Sequence, residues 1–182
     1  MYLQTKNSIL RPWSPGDAES IVLHANNPRV AAGMRDAFPH PYTLEDAHRF
    51  FERAGEAGNL FLAIEVGAEA VGGIGIHFLD DVYRHTGEIG YWLSASCWGR
   101  GIATDAVRTF VPVVFMETDL IRIQAGIFAD NPASARVLEK SGFVREAVHK
   151  DAITKKGVVM DEIVYAILKP QDGNQTGNTR LP

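Results

Sequence analysis

Residues 94–104 read SASCWGRGIAT, with two glycines flanking Arg100 where a strand-like stretch, EIGYWLS, gives way to a helix-like one, DAVRTF. The first backbone amides of a helix have no intrahelical partner, and they sit at the positive end of the helix dipole. Glycine removes the Cβ that would hold a phosphate off the main chain. Gly99, Arg100, Gly101, Ile102, Ala103 and Thr104 are therefore candidate ligands of a pyrophosphate, with Arg100 adding a charge. The plain alternative is a tight connection that binds nothing. The strand before the turn and the amphipathic helix after it favour a ligand. The pattern is not the phosphate loop G-x-x-x-x-G-K-[ST]. A dinucleotide fingerprint would need a third glycine where Thr104 stands, and would place its loop after the first of several parallel strands. Cys97 has no legible histidine partner, which disfavours a covalent acyl-enzyme. No histidines show metal-ligand spacing such as H-E-x-x-H, so no metal is expected.

The rest of the chain has to hold that turn in place. Its 182 residues suit one domain with a sizeable core and are short for two. Hydrophobic residues at 46% and charged residues at 22% are those of an ordinary globular protein. A net charge of -4 without a basic stripe argues against nucleic acid. A single cysteine fits a reducing compartment. No apolar run reaches the roughly 20 residues needed to cross a bilayer, and the N-terminus lacks a signal-peptide pattern. A cytoplasmic protein with no membrane partner is expected, with a single domain over residues 1–170 and a disordered polar tail over 171–182.

Ser8 to Trp13 reads as a strand. Ser14-Pro15-Gly16-Asp17 then opens a helix expected to run to about Ala25, and a short helix follows Pro28. Thr43 caps a helix expected to reach about Gly55, with Ala47, Phe50 and Phe51 inward. Leu60 to Val66 and Val71 to Leu79 form a hairpin, and Thr86 to Ser94 a third, antiparallel strand. After the glycine turn, Ala103, Ala106, Val107, Phe110 and Val114 recur at helical spacing, with Pro112 predicting a kink or an early end. Leu120 to Phe128 returns as a parallel strand through a right-handed crossover. Asn131-Pro132 opens a helix that ends at Gly142, and Phe143 to His149 and Val158 to Leu168 close the fold as a hairpin. The class is α/β by content: a mixed sheet with antiparallel meanders on both sides of one parallel crossover.

The stretches GEIGYWLSASCWGRGIATDAV and IRIQAGIFADNPASARVLEKSGF resemble the GNAT superfamily of acyl-CoA N-acyltransferases, most closely the branch of the ribosomal-protein N-terminal acetyltransferases. The family pattern, [QR]-x-x-G-x-[GA] entering a helix and later an asparagine and Lys-x-Gly-Phe, is matched by Trp98-x-x-Gly101-x-Ala103, by Asn131 and Ser134, and by Lys140-Ser141-Gly142-Phe143. LRPWSPGDAE and FPHPYTLEDA extend the resemblance to about residues 8–168. Trp98 departs from the usual Gln or Arg, and Pro112 is not expected in the helix. The resemblance implies a GNAT-like sheet whose two central parallel strands splay apart, flanked by helices. It implies acetyl-CoA as cofactor, with pantetheine bonding to the strand Glu88 to Ser94 as an added strand would.

The implied reaction is direct attack of a neutral amine on a thioester, which needs a base, a carbonyl stabiliser and an acid for the thiolate. The implied base is Glu88, with Asp80, Asp81, His85 and, more weakly, His77 as rivals; a plain salt bridge is the alternative for Glu88. The implied carbonyl donor is a backbone amide near Leu93 or Ser94. Ser134 is the implied acid, and otherwise an ordinary first-turn serine. Asn131 caps its helix while its amide nitrogen is free for a pantetheine carbonyl. The acceptor wall is expected from Phe38 to Tyr42 and the loop after Leu79. The branch and amine acidity favour a protein N-terminal α-amine. An amino acid, polyamine or aminoglycoside acceptor stays open, as does a non-catalytic acyl-CoA-binding module. A monomer or homodimer fits the resemblance.

Overall fold

The computed structural model describes residues 1–54 and 59–170. The end of the third helix near Gly55 and the expected disordered tail lie outside the described residues. Two short strands, β1 (Leu3–Gln4) and β2 (Ile9–Pro12), lead to a 3-10 turn over Pro15–Asp17. The Ser14 side chain accepts from the Gly16 amide and Asp17 accepts from the Ser14 amide at 2.8 Å, so the start signal read from the sequence is a capping box. The helices α1 (Ala18–Ala25), α2 (Pro28–Ala32) and α3 (Leu44–Ala54) follow.

Then come β3 (Asn59–Val66), β4 (Glu69–Phe78), β5 (Thr86–Leu93), α4 (Ile102–Glu117), β6 (Arg122–Phe128), α5 (Pro132–Lys140), β7 (Val144–Lys155) and β8 (Val158–Leu168). Among the described residues the sheet has eight strands in the order β1-β2-β3-β4-β5-β6-β8-β7. β5 and β6 pair in parallel, and the remaining neighbours are antiparallel. The mixed sheet with meanders on both sides of one crossover is the architecture expected. β1 was missed because two residues carry no periodicity, and β7 runs well past His149.

α4 does not end early at Pro112. Proline removes the amide that would bond to the Arg108 carbonyl. Both residues face solvent, so water reaches the freed carbonyl, while Phe110, Val111, Val114 and Phe115 hold the same helix onto the sheet from its buried side. That side meets Ile74, Ile76, Ile89 and Ile123 in the main core. A second cluster lies on the opposite face, where Ile21, Ala25, Tyr42 and Ala47 pack with half-buried aromatic rings. The site lies where β5 and β6 part between these layers.

Candidate active site

The glycine turn sits at the start of α4. Gly99 has φ of 76° and Gly101 has φ of 79°, a left-handed conformation that glycine adopts without steric cost. A Cβ at either position would meet nothing within 4 Å, so the backbone, not crowding, requires glycine, and the ground above the turn is open. The first intrahelical bond runs from the Asp105 amide to the Gly101 carbonyl at 2.9 Å. The amides of Ile102, Ala103 and Thr104 therefore precede the helical ladder, and Arg100 is exposed beside them. An open cradle of unspent amides fits a pyrophosphate. Trp98 serves the backbone instead. Its indole N–H donates to the Leu93 carbonyl at 2.8 Å, and the Arg29 guanidinium lies 4.8 Å over its ring.

β5 and β6 are in register only at Thr86 with Arg122, Gly87 with Ile123 and Glu88 with Gln124. Beyond that the strands separate, and residues 89–92 and 125–128 line a cavity of about 1120 Å³. Ladder bonds alternate sides along an antiparallel strand. Ser94 donates its amide to Val71 in β4 at 2.7 Å, and the Leu79 amide donates to Thr86 at 3.0 Å, so the even-numbered residues of β5 face β4. The Ile89 amide is taken by Gln124 at the last parallel pair, and the amides of Tyr91 and Leu93 then face the gap, which suits an extended pantetheine chain. Leu93 thus presents its amide to the gap. Ser94 does not: its amide is spent on Val71, and its hydroxyl contacts His24 Nδ1 at 3.1 Å and the Ser96 hydroxyl at 3.0 Å. Tyr91 was not singled out from the sequence, which does not reveal which parity bonds which neighbour.

Glu88 lies on the cavity wall in an ion pair with the Arg35 guanidinium. The salt bridge, the alternative reading of Glu88, is present at a residue on the cavity wall. His77 stands opposite Glu88 in the β4–β5 register and lines the same cavity. Burial lowers the His77 pKa, against the pull of the Glu88 charge, so this imidazole stays neutral near pH 7 and able to accept a proton. Asp80, Asp81 and His85 do not line the cavity; the His85 ring instead bonds to the Asp119 carbonyl at 3.0 Å. The loop after Leu79 is likewise absent from the wall, whereas Phe38, Pro39 and Tyr42 are part of it. Cys97 is buried outside the cavity.

Asn131 caps α5, its side-chain oxygen accepting from the Ser134 amide at 3.1 Å. The Ser134 hydroxyl lies 2.7 Å from the Tyr91 hydroxyl. Burial pushes the Tyr91 phenol up to about 12, although the bond to Ser134 pulls the other way, so the phenol keeps its proton across the working range. Glu88, Asn131 and Ser134 converge on one cavity with His77, the weaker rival base, and with the unforeseen Arg35 and Tyr91, while the residues from Leu93 to Thr104 lie outside its lining. This arrangement provides proton acceptors on one wall, a hydroxyl pair on another and free amides between. Those are the parts an acyl transfer to an amine requires.

Known proteins are similar to this chain in sequence and in fold. The chain is 32% identical over 174 residues to the uncharacterized N-acetyltransferase YoaA of Bacillus subtilis, covering 93% of this chain and 98% of that protein. It is 31% identical over 98 residues to the ribosomal-protein-serine acetyltransferase of Escherichia coli, covering 54% of each. A GNAT-family acetyltransferase from Bacillus anthracis has a crystal structure similar to it with a TM-score of 0.80 at 27% identity, over 92% of this chain and 98% of that one. Residues 7–144 match the acetyltransferase (GNAT) domain, and the chain belongs to the GNAT acetyltransferase family.

Proposed function

We propose that this N-acetyltransferase, whose donor is acetyl-CoA, transfers the acetyl group to the α-amine at the N-terminus of a peptide or protein. The observation that carries this reading is a second, polar depression of about 340 Å³ that shares Arg35, Glu88, Gly126 and Glu162 with the main cavity. A small amine needs only the main cavity. An amine at the end of a chain needs a way out beside the base. Arg122, Gln124, Glu146 and His149 line that way with both donors and acceptors, which suits a peptide backbone. The similarity of half the chain to a ribosomal-protein-serine acetyltransferase supports the same class of acceptor.

When bound, acetyl-CoA supplies the thioester that is attacked and a thiolate that must gain a proton. The amides of Gly99–Thr104 hold its phosphates, and the gap-facing amides of Tyr91 and Leu93 hold its arm. Glu88 takes the amine proton, directly or through water, with neutral His77 beside it. The Ser134 hydroxyl donates its proton to the sulfur and regains one from water, while the Tyr91 hydroxyl, which keeps its own proton, holds it in place. An α-amine ordinarily titrates at about 7.7–8.0, against about 10.4 for a lysine side chain, and so asks little of such a base. The test is thiol release with peptides of increasing length against free amino acids, polyamines and aminoglycosides. KM should fall as the peptide lengthens into the polar depression. Equal kcat/KM for free amines would overturn the peptide reading, and tight acetyl-CoA binding without any turnover would favour a non-catalytic module.

A further inference from the structure

We infer that the acceptor's first side chain, the one next to the reacting amine, is an aromatic ring seated in a ring-walled pocket over Gly90. This rests on the reading that the amine is deprotonated at Glu88. In antiparallel pairs, opposed residues share a face, and that face repeats every second residue. The registers Phe61↔Gly75, Gly75↔Gly90, His77↔Glu88 and Gly73↔Trp92 therefore put these residues on one face of the sheet, the face that lines the main cavity. Three of them are glycines, in the middle of a sheet where a filled core would carry larger side chains.

Rings already lie on two of those glycines. A Cβ at Gly75 would run into the Phe61 ring, and one at Gly73 would meet Trp13 and Trp92, each at 3.0 Å. The third place is empty: a Cβ at Gly90 would meet nothing within 4 Å. Ring contacts run outward from the same floor. Phe61 meets His77 with centroids 4.8 Å apart, and Trp13 meets Phe50 at 5.2 Å. On the other side Trp92 meets Phe38 at 5.8 Å. The tryptophan and phenylalanine rings are only half-buried and His77 is exposed, and all of them line the cavity. The open floor at Gly90 lies two residues from Glu88 on the same strand face, within reach of the side chain adjacent to an amine held there. Tilted and edge-on ring pairs line this wall, and another ring completes them better than an aliphatic chain does.

The experiment uses peptides identical except for the first residue (Ala, Ser, Leu, Phe, Tyr or Trp), with free phenethylamine beside them. Turnover is measured with acetyl-CoA, and binding is measured by calorimetry on the CoA-loaded enzyme. Ring-first peptides should exceed Ala-first ones by roughly ten- to hundredfold in kcat/KM and in affinity, the scale of taking a Phe-sized side chain out of water. Gly90→Val fills the empty place in extended backbone and should remove most of that preference. Phe38→Leu, at the rim, should reduce it even if Gly90→Val folds poorly. Equal or better use of Ala- and Ser-first peptides overturns the inference and leaves the peptide acceptor standing. A preference untouched by both variants also overturns it. Phenethylamine used as well as the Phe-first peptide keeps the ring pocket and removes the peptide acceptor.

Discussion

Arg35 and an incoming amine would compete for one carboxylate. Arg35 is largely exposed while Glu88 is only 27% so, and an exposed ion pair is weak enough for a substrate to displace. Glu88→Gln is expected to lower kcat by about 10²–10⁴, the usual worth of a general base, with little change in acetyl-CoA KM. His77→Asn separates the two proton acceptors. Because the folded pKa of His77 lies below its ordinary 6.5, any rate that depends on the neutral ring is full above that value and lost as pH falls through the lowered pKa. A pH–rate profile that loses its acid limb in His77→Asn but keeps it in Glu88→Gln would assign the base to histidine. On the opposite wall, Tyr91→Phe should lower kcat less than Ser134→Ala. Tyr91 only orients the Ser134 hydroxyl, and water is able to take its place in that contact. Single-turnover rates of the two variants measure the difference.

At the scale of elements, α4 joins the cradle to the core. Gly101→Ala forces an L residue into the left-handed region at a cost of about 1–2 kcal/mol. The same change turns the first free amides of the helix. A rise of roughly tenfold or more in the acetyl-CoA Kd is expected together with a lower Tm. The neighbouring position Arg100→Ala should weaken CoA binding and leave Tm unchanged, since its side chain is exposed. Pro112 makes the opposite kind of prediction. Pro112→Ala restores the amide bond to the Arg108 carbonyl on the exposed face and should stabilise the protein by about 1–3 kcal/mol, read as a higher Tm. Activity should not change, because the cradle is at the other end of the helix.

For the molecule as a whole, one buried ion cluster ties the outer meander to the helical layer. Arg11 in β2 bonds to both Asp17 oxygens, at 2.8 and 2.7 Å, and to Glu65 in β3. The Arg11 and Asp17 side chains are only 14% and 10% exposed. Burial pushes the Asp17 pKa up, but the Arg11 hydrogen bond, the Ser14 amide and the Arg11 charge together bring it below the usual carboxylate value. A lowered folded pKa contributes stability that is complete above about 4 and lost as pH falls through that pKa. Thermal melts from neutral to acid pH should show Tm dropping in that window. Arg11→Leu should remove the drop and, by stranding a buried carboxylate, cost about 3–5 kcal/mol at neutral pH.

Local signals carried a large part of this protein. The serine-proline start at Ser14, the asparagine-proline cap at Asn131, the periodic apolar face of α4 and the glycine turn each depend on residues a few positions apart. Short-range sterics and hydrogen bonding therefore fix them in any context. Glu88 and Ser134 came from the resemblance, which the sequence alone also carried. The partners of these residues did not. Arg35 reaches Glu88 across 53 positions, and Tyr91 reaches Ser134 across 43. No period or spacing encodes such pairs. Which parity of β5 faces the gap, which glycines lie under rings and which one is left bare all follow from strand register. Register is set by how the whole sheet buries its two faces, so only the tertiary structure decides it.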